Sequence, residues 1–244
     1  MTDSKKITEK RFNELYDRAY DKHYTAFTEF LNLEEQSILA GSYLPCVTYG
    51  GYESAERVVA GFGEDVGTDD FPIVCVCIKP ASQKFADKLS HRDFLGALMN
   101  LGIRRELLGD IIIYENCGYL FCLEKIGEYV TDSLTKVKHT TIKAEVTDSL
   151  PFLTSIQPKS QELIVSSLRL DVLISAVYRL SRKEASLLFQ QGKVFVNSAQ
   201  TTNSSYTAKE NDIFSVRGFG RFEYISTVRS TKKDRLVVEL KIYR

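Results

Sequence analysis

Apolar residues recur along the chain with two periods, and the switches between them divide it into regions. Over residues 8–42 the period is helical: Phe12, Leu15, Tyr16 and Ala19 fall at i, i+3, i+4 and i+7. A second helical run carries Phe27, Phe30 and Leu31. A third opens at Glu34, carries Ile38 and Leu39 and stops at Gly41. Residues 46–49 read as a strand broken by Gly50-Gly51, and 56–62 as a strand or a short helix. The Gly/Asp-rich stretch 61–70 is a loop and a first boundary.

The next stretch has a clear order. Residues 73–78 form an apolar strand, and a helix begins near Ser90. Strands at 111–114 and 119–123 meet at a turn over Asn116-Cys117-Gly118. A helix over 127–136 and a strand over 141–146 follow. This βαββαβ order is that of a ferredoxin-like, RRM-like sandwich, a layout shared by RNA-recognition domains and by many proteins that bind no RNA. The fold class expected is α+β: an N-terminal α+β domain (1–70), a ferredoxin-like middle domain (71–150), a Pro/Ser/Thr-containing linker (151–163) and a C-terminal module (164–244).

The C-terminal module reads as two short basic helices and a Gly-punctuated hairpin. Ser166 or Ser167 is positioned to cap a helix with Leu170, Leu173, Ile174 and Val177 on its apolar face. Ser181 with Glu184 three residues on is a capping box for a second helix, whose inner face is Ala185, Leu188 and Phe189 and which ends at Gly192. A strand over 193–197 and another over 213–216 follow. Lys and Arg neutralise phosphates and release condensed counterions, and a capped helix start adds oriented N–H groups. Gly218 and Gly220, beside Arg217 and Arg221, let a backbone come close. The candidate RNA-binding residues are Arg169, Arg179, Ser181, Arg182, Lys183, Lys193, Arg217 and Arg221, with a second candidate patch at Arg92, Arg104 and Arg105.

Charge sharpens that picture. The net charge is zero, yet residues 159–244 hold 15 Lys+Arg against 8 Asp+Glu, and residues 1–158 hold 17 against 24. The basic end therefore suits a polyanion. The five cysteines are odd in number, lie in apolar runs and form no Cys-x-x-Cys, so they are expected to be free thiols rather than zinc ligands. No apolar run spans a membrane and no secretory leader opens the chain, so a cytoplasmic location without a membrane span is expected.

Residues 166–222 resemble the S4-type RNA-binding domain through Arg169, Leu170, Asp171, Ser181, Arg182, Ala185, Gly192, Val194, Val196, Asn197, Asp212, Val216, Gly218, Gly220 and Arg221. Upstream, Tyr49-Gly50-Gly51-Tyr52 with Ala55-Glu56-Arg57, His91-Arg92-Asp93-Phe94-Leu95-Gly96-Ala97-Leu98, Gly102-Ile103-Arg104-Arg105-Glu106 and Gly109-Asp110-Ile111 are similar to the YlmH family of bacterial S4 proteins. The resemblance covers nearly the whole chain. It implies a non-enzymatic, cofactor-free RNA-binding protein, with rRNA of the large ribosomal subunit and tRNA as partners. It also implies a part in rescue of stalled nascent chains and a link to cell division. Asn197-Ser198 departs from the commoner Asn-Gly and predicts a looser hairpin.

Two other readings compete. Arg169-Leu170-Asp171 superficially resembles the catalytic segment of pseudouridine synthases, but only 73 residues follow Asp171 and Leu168 stands where a glycine is usual. The acidic N-terminal region, with Phe12, Leu15, Tyr16 and Phe27, offers a surface for a protein partner. Acid–base chemistry at His91 and Asp93 lacks a third group.

Overall fold

The structure is a computed structural model that describes residues 3–243. It is α+β and divides into two compact units, Met1–Thr154 and Ser155–Arg244. Among the described residues no helix is long and apolar enough to cross a membrane.

The first unit opens with α1 (Asp3–Lys22) and the two-residue strand β1 (Ala26–Phe27). Helix α2 (Leu33–Ser42) starts at Asn32, whose Oδ1 accepts from the N–H groups of Glu34 and Glu35 while Glu35 reaches back to the Asn32 N–H. It ends where Tyr43 turns left-handed, φ 56°. Strands β2 (Val47–Tyr49) and β3 (Val59–Phe62) join β1 in a sheet ordered β1-β3-β2. The run with Phe27, Phe30 and Leu31 is not a helix. Phe27 pairs with Gly61 and Leu31 bridges to Val58, because strand β3 supplies partners that a local helix would forgo. Phe12, Ala19, Leu31, Ile38, Leu39 and Phe62 form a core, with Leu15 and Tyr16 packed against it. Of the apolar residues proposed as a partner surface, Phe12 is buried, while Leu15, Tyr16 and Phe27 are half-buried.

The same unit continues with β4 (Ile73–Pro80), α3 (His91–Asn100), β5 (Leu108–Tyr114), β6 (Cys117–Leu123), α4 (Glu124–Ser133), the short β7 (Lys136–Val137) and β8 (Thr140–Val146). The sheet order is β5-β6-β4-β8-β7, antiparallel throughout. The β5–β6 turn sits earlier than Asn116-Cys117-Gly118. Glu115 (φ 48°) and Asn116 (φ 62°) alone make it, as a tight hairpin with two left-handed residues. Alternation sends Val76, Ile78, Leu120 and Cys122 into a core with Phe94 and Leu98 of α3 and Val130 of α4.

The stretch read as a linker, 151–163, is built into the fold at both ends. Phe152 is fully buried among Tyr52, Tyr119 and Phe121. After the single turn α5 (Leu153–Ile156), strand β9 (Lys159–Val165) pairs along its whole length with the last strand.

The second unit adds α6 (Leu170–Tyr178), α7 (Arg182–Gln190), β10 (Val194–Val196), β11 (Ala199–Gln200), β12 (Asp212–Val216), β13 (Gly220–Ser230) and β14 (Leu236–Tyr243). Its six-stranded antiparallel sheet runs β11-β10-β12-β13-β14-β9. Val194, Phe214, Val216, Phe222, Leu240 and Ile242 face α6 and α7 across one core. The Asn197-Ser198 turn is tight after all, with φ 48° and 66°. Asn197 donates to Asp212 Oδ1 at 2.8 Å and accepts from the Ile213 N–H at 2.9 Å, which fastens a turn that lacks glycine.

Candidate nucleic-acid interface

In the second unit, the register puts Phe195, Ser215, Arg221 and Tyr243 in one row across β10, β12, β13 and β14. That row lies on the sheet face opposite the helices, because its neighbours Val196, Phe214, Phe222 and Ile242 enter the core. The Arg217 guanidinium lies over the Phe195 ring, 4.7 Å from its centroid, and Arg221 lies over Tyr243 at 4.3 Å. Arg217 is exposed, and its N–H donates to the Lys193 carbonyl at 2.9 Å. Lys193, Arg217 and Arg221 thus meet at one end of the sheet, around the turn Arg217-Gly218-Phe219. Gly218 has φ 87° and open space where a Cβ would stand, so the turn presents bare backbone. Phe219 is half-exposed and packs at a tilt on Tyr178, ring centroids 5.4 Å apart, one residue before the left-handed, exposed Arg179.

The helix starts behave differently. Helix α7 begins as the sequence predicts, but Ser181 is fully engaged by its own cap. Its N–H and hydroxyl both donate to Glu184, at 2.8 and 2.7 Å, and this holds Glu184 below the usual carboxylate range. Ser181 is thereby a structural residue, while Arg182 and Lys183 beside it are exposed. Helix α6 begins at Arg169, later than Ser166 or Ser167. The reason is a backbone bridge from Arg169 to Thr207, which ties 168–171 to the 204–208 loop: Leu170 and Asp171 N–H groups donate to the Tyr206 and Ser204 carbonyls. That helix start has little left to offer an anion. Arg169 clasps Asp171 with two bonds of 3.0 and 2.9 Å, which together with the Val172 N–H and the field of Arg182 depresses the Asp171 pKa against the opposing effect of burial.

In the first unit the three arginines of the second patch part company. Arg104 is held by Glu29 through an ion pair. Arg105 turns inward and donates to the Leu108 and Gly109 carbonyls at 2.7 and 3.0 Å, so it is not a phosphate-facing group. Desolvation, and then the neighbouring Arg57, pull its pKa down to about 10. Arg92, exposed on the first turn of α3, has no ion pair among the described residues.

Arg105 belongs to a polar network that sequence reading missed. Asp110 accepts from the Tyr52 hydroxyl at 2.8 Å, from the Glu56 N–H at 2.7 Å and from the Arg57 N–H at 3.2 Å. Arg57 donates to the carbonyls of Leu108, Phe30 and Arg105. His91 stands close enough that desolvation and Arg105 lower its pKa, against the pull of Asp110. The motif residues Tyr52, Glu56, Arg57, His91, Arg105 and Asp110 thus converge on one spot. They lock the strand β5 to the segments before β3. The only advance signal was their presence in separate motifs, since the partners of Asp110 lie more than 50 residues away in the chain.

Gly51 serves the same junction. It has φ 96°, and a Cβ there would stand 2.2 Å from the Phe121 ring. The cysteines are free: Cys75, Cys77 and Cys122 are buried, and burial pushes Cys75 and Cys122 up to about 12, beyond ordinary nucleophilic use.

Known proteins share these features. Residues 67–150 match the family model described as "Putative RNA-binding domain in YlmH". The ribosome-associated protein quality control protein P2 of Bacillus subtilis (strain 168) is 30% identical over 223 residues, 88% of this chain and 86% of that protein. The solved structure of the cell division protein ylmH from Streptococcus pneumoniae aligns with a TM-score of 0.51 over 63% of this chain and 95% of that one, at 22% identity, a likeness of fold. With a relative matched along almost its full length and the motifs around Asp110 and Arg217 in place, the chain belongs to the YlmH family.

Proposed function

We propose that the protein is a non-catalytic, cytoplasmic RNA-binding protein that works on the ribosome, engaging large-subunit rRNA and tRNA during rescue of stalled nascent chains. The first unit would carry a ferredoxin-like RNA-binding domain and the second an S4-type module. The observation that carries this reading is the cluster of Lys193, Arg217 and Arg221 around an exposed glycine turn, on the sheet face opposite α6 and α7. Cations laid over aromatic rings at a fixed spacing suit a folded phosphate backbone, and contacts of that kind set register without reading bases. Arg179, Arg182 and Lys183 extend the positive surface. Arg169, engaged with Asp171, contributes mainly by holding the start of α6.

The relative from Bacillus subtilis, named for ribosome-associated quality control, supports the ribosomal setting. Asp171 accepts three hydrogen bonds from its own helix start, which favours a binding role over the pseudouridine-synthase reading. Filter binding of bulk tRNA and of large ribosomal subunits at several salt concentrations tests the proposal. Arg182→Ala with Lys183→Ala should weaken binding and flatten the dependence of affinity on salt. An unchanged affinity and slope there and in Arg217→Gln with Arg221→Gln would remove these cations from the interface, and turnover of an RNA substrate would replace the reading with an enzymatic one.

A further inference from the structure

RNA-recognition domains of βαββαβ order ordinarily stack bases on the open face of the sheet. Here that face is closed. Tyr119 and Phe121 of β6 lie under Phe152 at ring distances of 4.9 and 6.3 Å, and Tyr52 covers Phe121 at 5.0 Å. Phe152 is fully buried, and Tyr119 and Phe121 nearly so. Any nucleic acid must therefore use another side of this sheet.

The helix side offers one. Phe85, in the loop between β4 and α3, is 81% exposed, with the Lys84 ammonium 5.5 Å from its ring. The loop is not loose. Asp87 donates its N–H to Thr140 Oγ1 at 2.9 Å and accepts from the His139 N–H at 3.3 Å, while Asn116 bonds the Leu89 N–H at 2.8 Å and the Asp87 carbonyl at 3.0 Å. These bonds tie residues 87 and 89, shortly after Phe85, to the β7–β8 hairpin and the β5–β6 turn. Between that hairpin and α3 runs an open groove with Arg92, Lys136 and Lys138 on its walls. Gly96 lies in its floor, where a Cβ would meet nothing within 4 Å. All three cations are exposed; Asp93 also lines the groove, where its carboxylate accepts from the Ser90 N–H and hydroxyl and feels the charge of Lys138.

We infer that this groove and Phe85 form a single-strand RNA site, with Arg92, Lys136 and Lys138 taking successive phosphates and the Phe85 ring stacking on an unpaired base. This deepens the proposed function, resting on it for the nature of the ligand, and assigns a face to the first unit. An exposed aromatic beside a cationic groove is the arrangement that binds unpaired nucleotides with little sequence preference. A protein partner would instead bury Phe85 without needing the groove's charge.

The test uses the full chain and a single-stranded RNA of about 12 nucleotides carrying 5-iodouridine. Phe85→Ala should weaken binding about tenfold with an unchanged salt slope, and Phe85→Tyr should restore it. Arg92→Gln with Lys136→Gln and Lys138→Gln should flatten the slope of log affinity against log salt by about 2. Irradiation should crosslink the peptide containing Phe85. The changed residues are exposed, so melting temperatures should match the parent. Wild-type affinity in Phe85→Ala and in the triple variant overturns the inference. If binding of bulk tRNA still depends on Arg182 and Lys183 in that case, the proposed function stands without it. A chain that binds neither RNA overturns both. Loss of ribosome binding with unchanged affinity for the oligonucleotide assigns Phe85 to a protein contact and also overturns it.

Discussion

Arg57 and Arg105 in the first unit aim their guanidinium groups at backbone carbonyls, whereas Arg217 and Arg221 in the second lay theirs over aromatic rings on the sheet face opposite α6 and α7. All four stand in motifs that look alike as strings of basic residues and glycines. The inward pair satisfies carbonyls that would otherwise be stranded, with Asp110 balancing the charge. The outward pair organises a surface. Whether an arginine marks an interface thus depends on what its carbonyl and carboxylate neighbours demand of it, and basic content alone does not separate the two cases.

The sharpest way to break this contrast is to remove Asp110. Asp110→Ala leaves two N–H groups and the Tyr52 hydroxyl without their acceptor and two half-buried arginines without a nearby countercharge, and should cost about 3 kcal/mol in urea unfolding. Loss below about 1 kcal/mol would mean the network is not a lock. Next, Gly51→Ala forces a Cβ against Phe121 in a left-handed backbone and should cost about 2 kcal/mol by the same measurement. Third, Arg105→Gln should lower stability while keeping the salt slope of RNA binding, and Arg217→Gln with Arg221→Gln should do the reverse, flattening the slope by about 1 to 2 at nearly constant melting temperature. Equal behaviour of the two pairs would erase the distinction.

The smallest effect concerns pH. The Asp171 pKa is depressed in the folded state, first by its hydrogen bond from Arg169. Its contribution is therefore complete above the unfolded carboxylate value and declines as the pH falls from about 4 toward the folded value. The urea midpoint of Asp171→Asn should accordingly drop less steeply than that of the parent over that acid range.

What was legible in the chain was local. The capping box Ser181–Glu184 could be read because both members lie within one turn, and the strands of the middle region because alternation needs only neighbours. Residues 27–31 misled because Phe27, Phe30 and Leu31 fit a helical spacing equally well, and the deciding partner, β3, lies some 30 residues on. Residues 159–163 looked like part of a tether because the mate of their strand, β14, is the last strand of the chain. The start of α6 was misplaced for a similar reason: the Thr207 bridge, not a serine cap, sets it. At the candidate site, the exposed cations of the second unit were foreseen from composition, and Lys136 and Lys138 were not, since neither stands in a basic run.

The stacking of Arg217 on Phe195 and of Arg221 on Tyr243 has a kinetic consequence. A long flexible side chain normally surrenders rotamer freedom at the moment it grips a ligand, and that loss weakens the grip. Resting flat on a ring, each guanidinium has already given up much of that freedom before anything arrives. A partner docking there meets a template that is largely set, so its capture should require little rearrangement and its dwell time should be governed by how fast the contacts break.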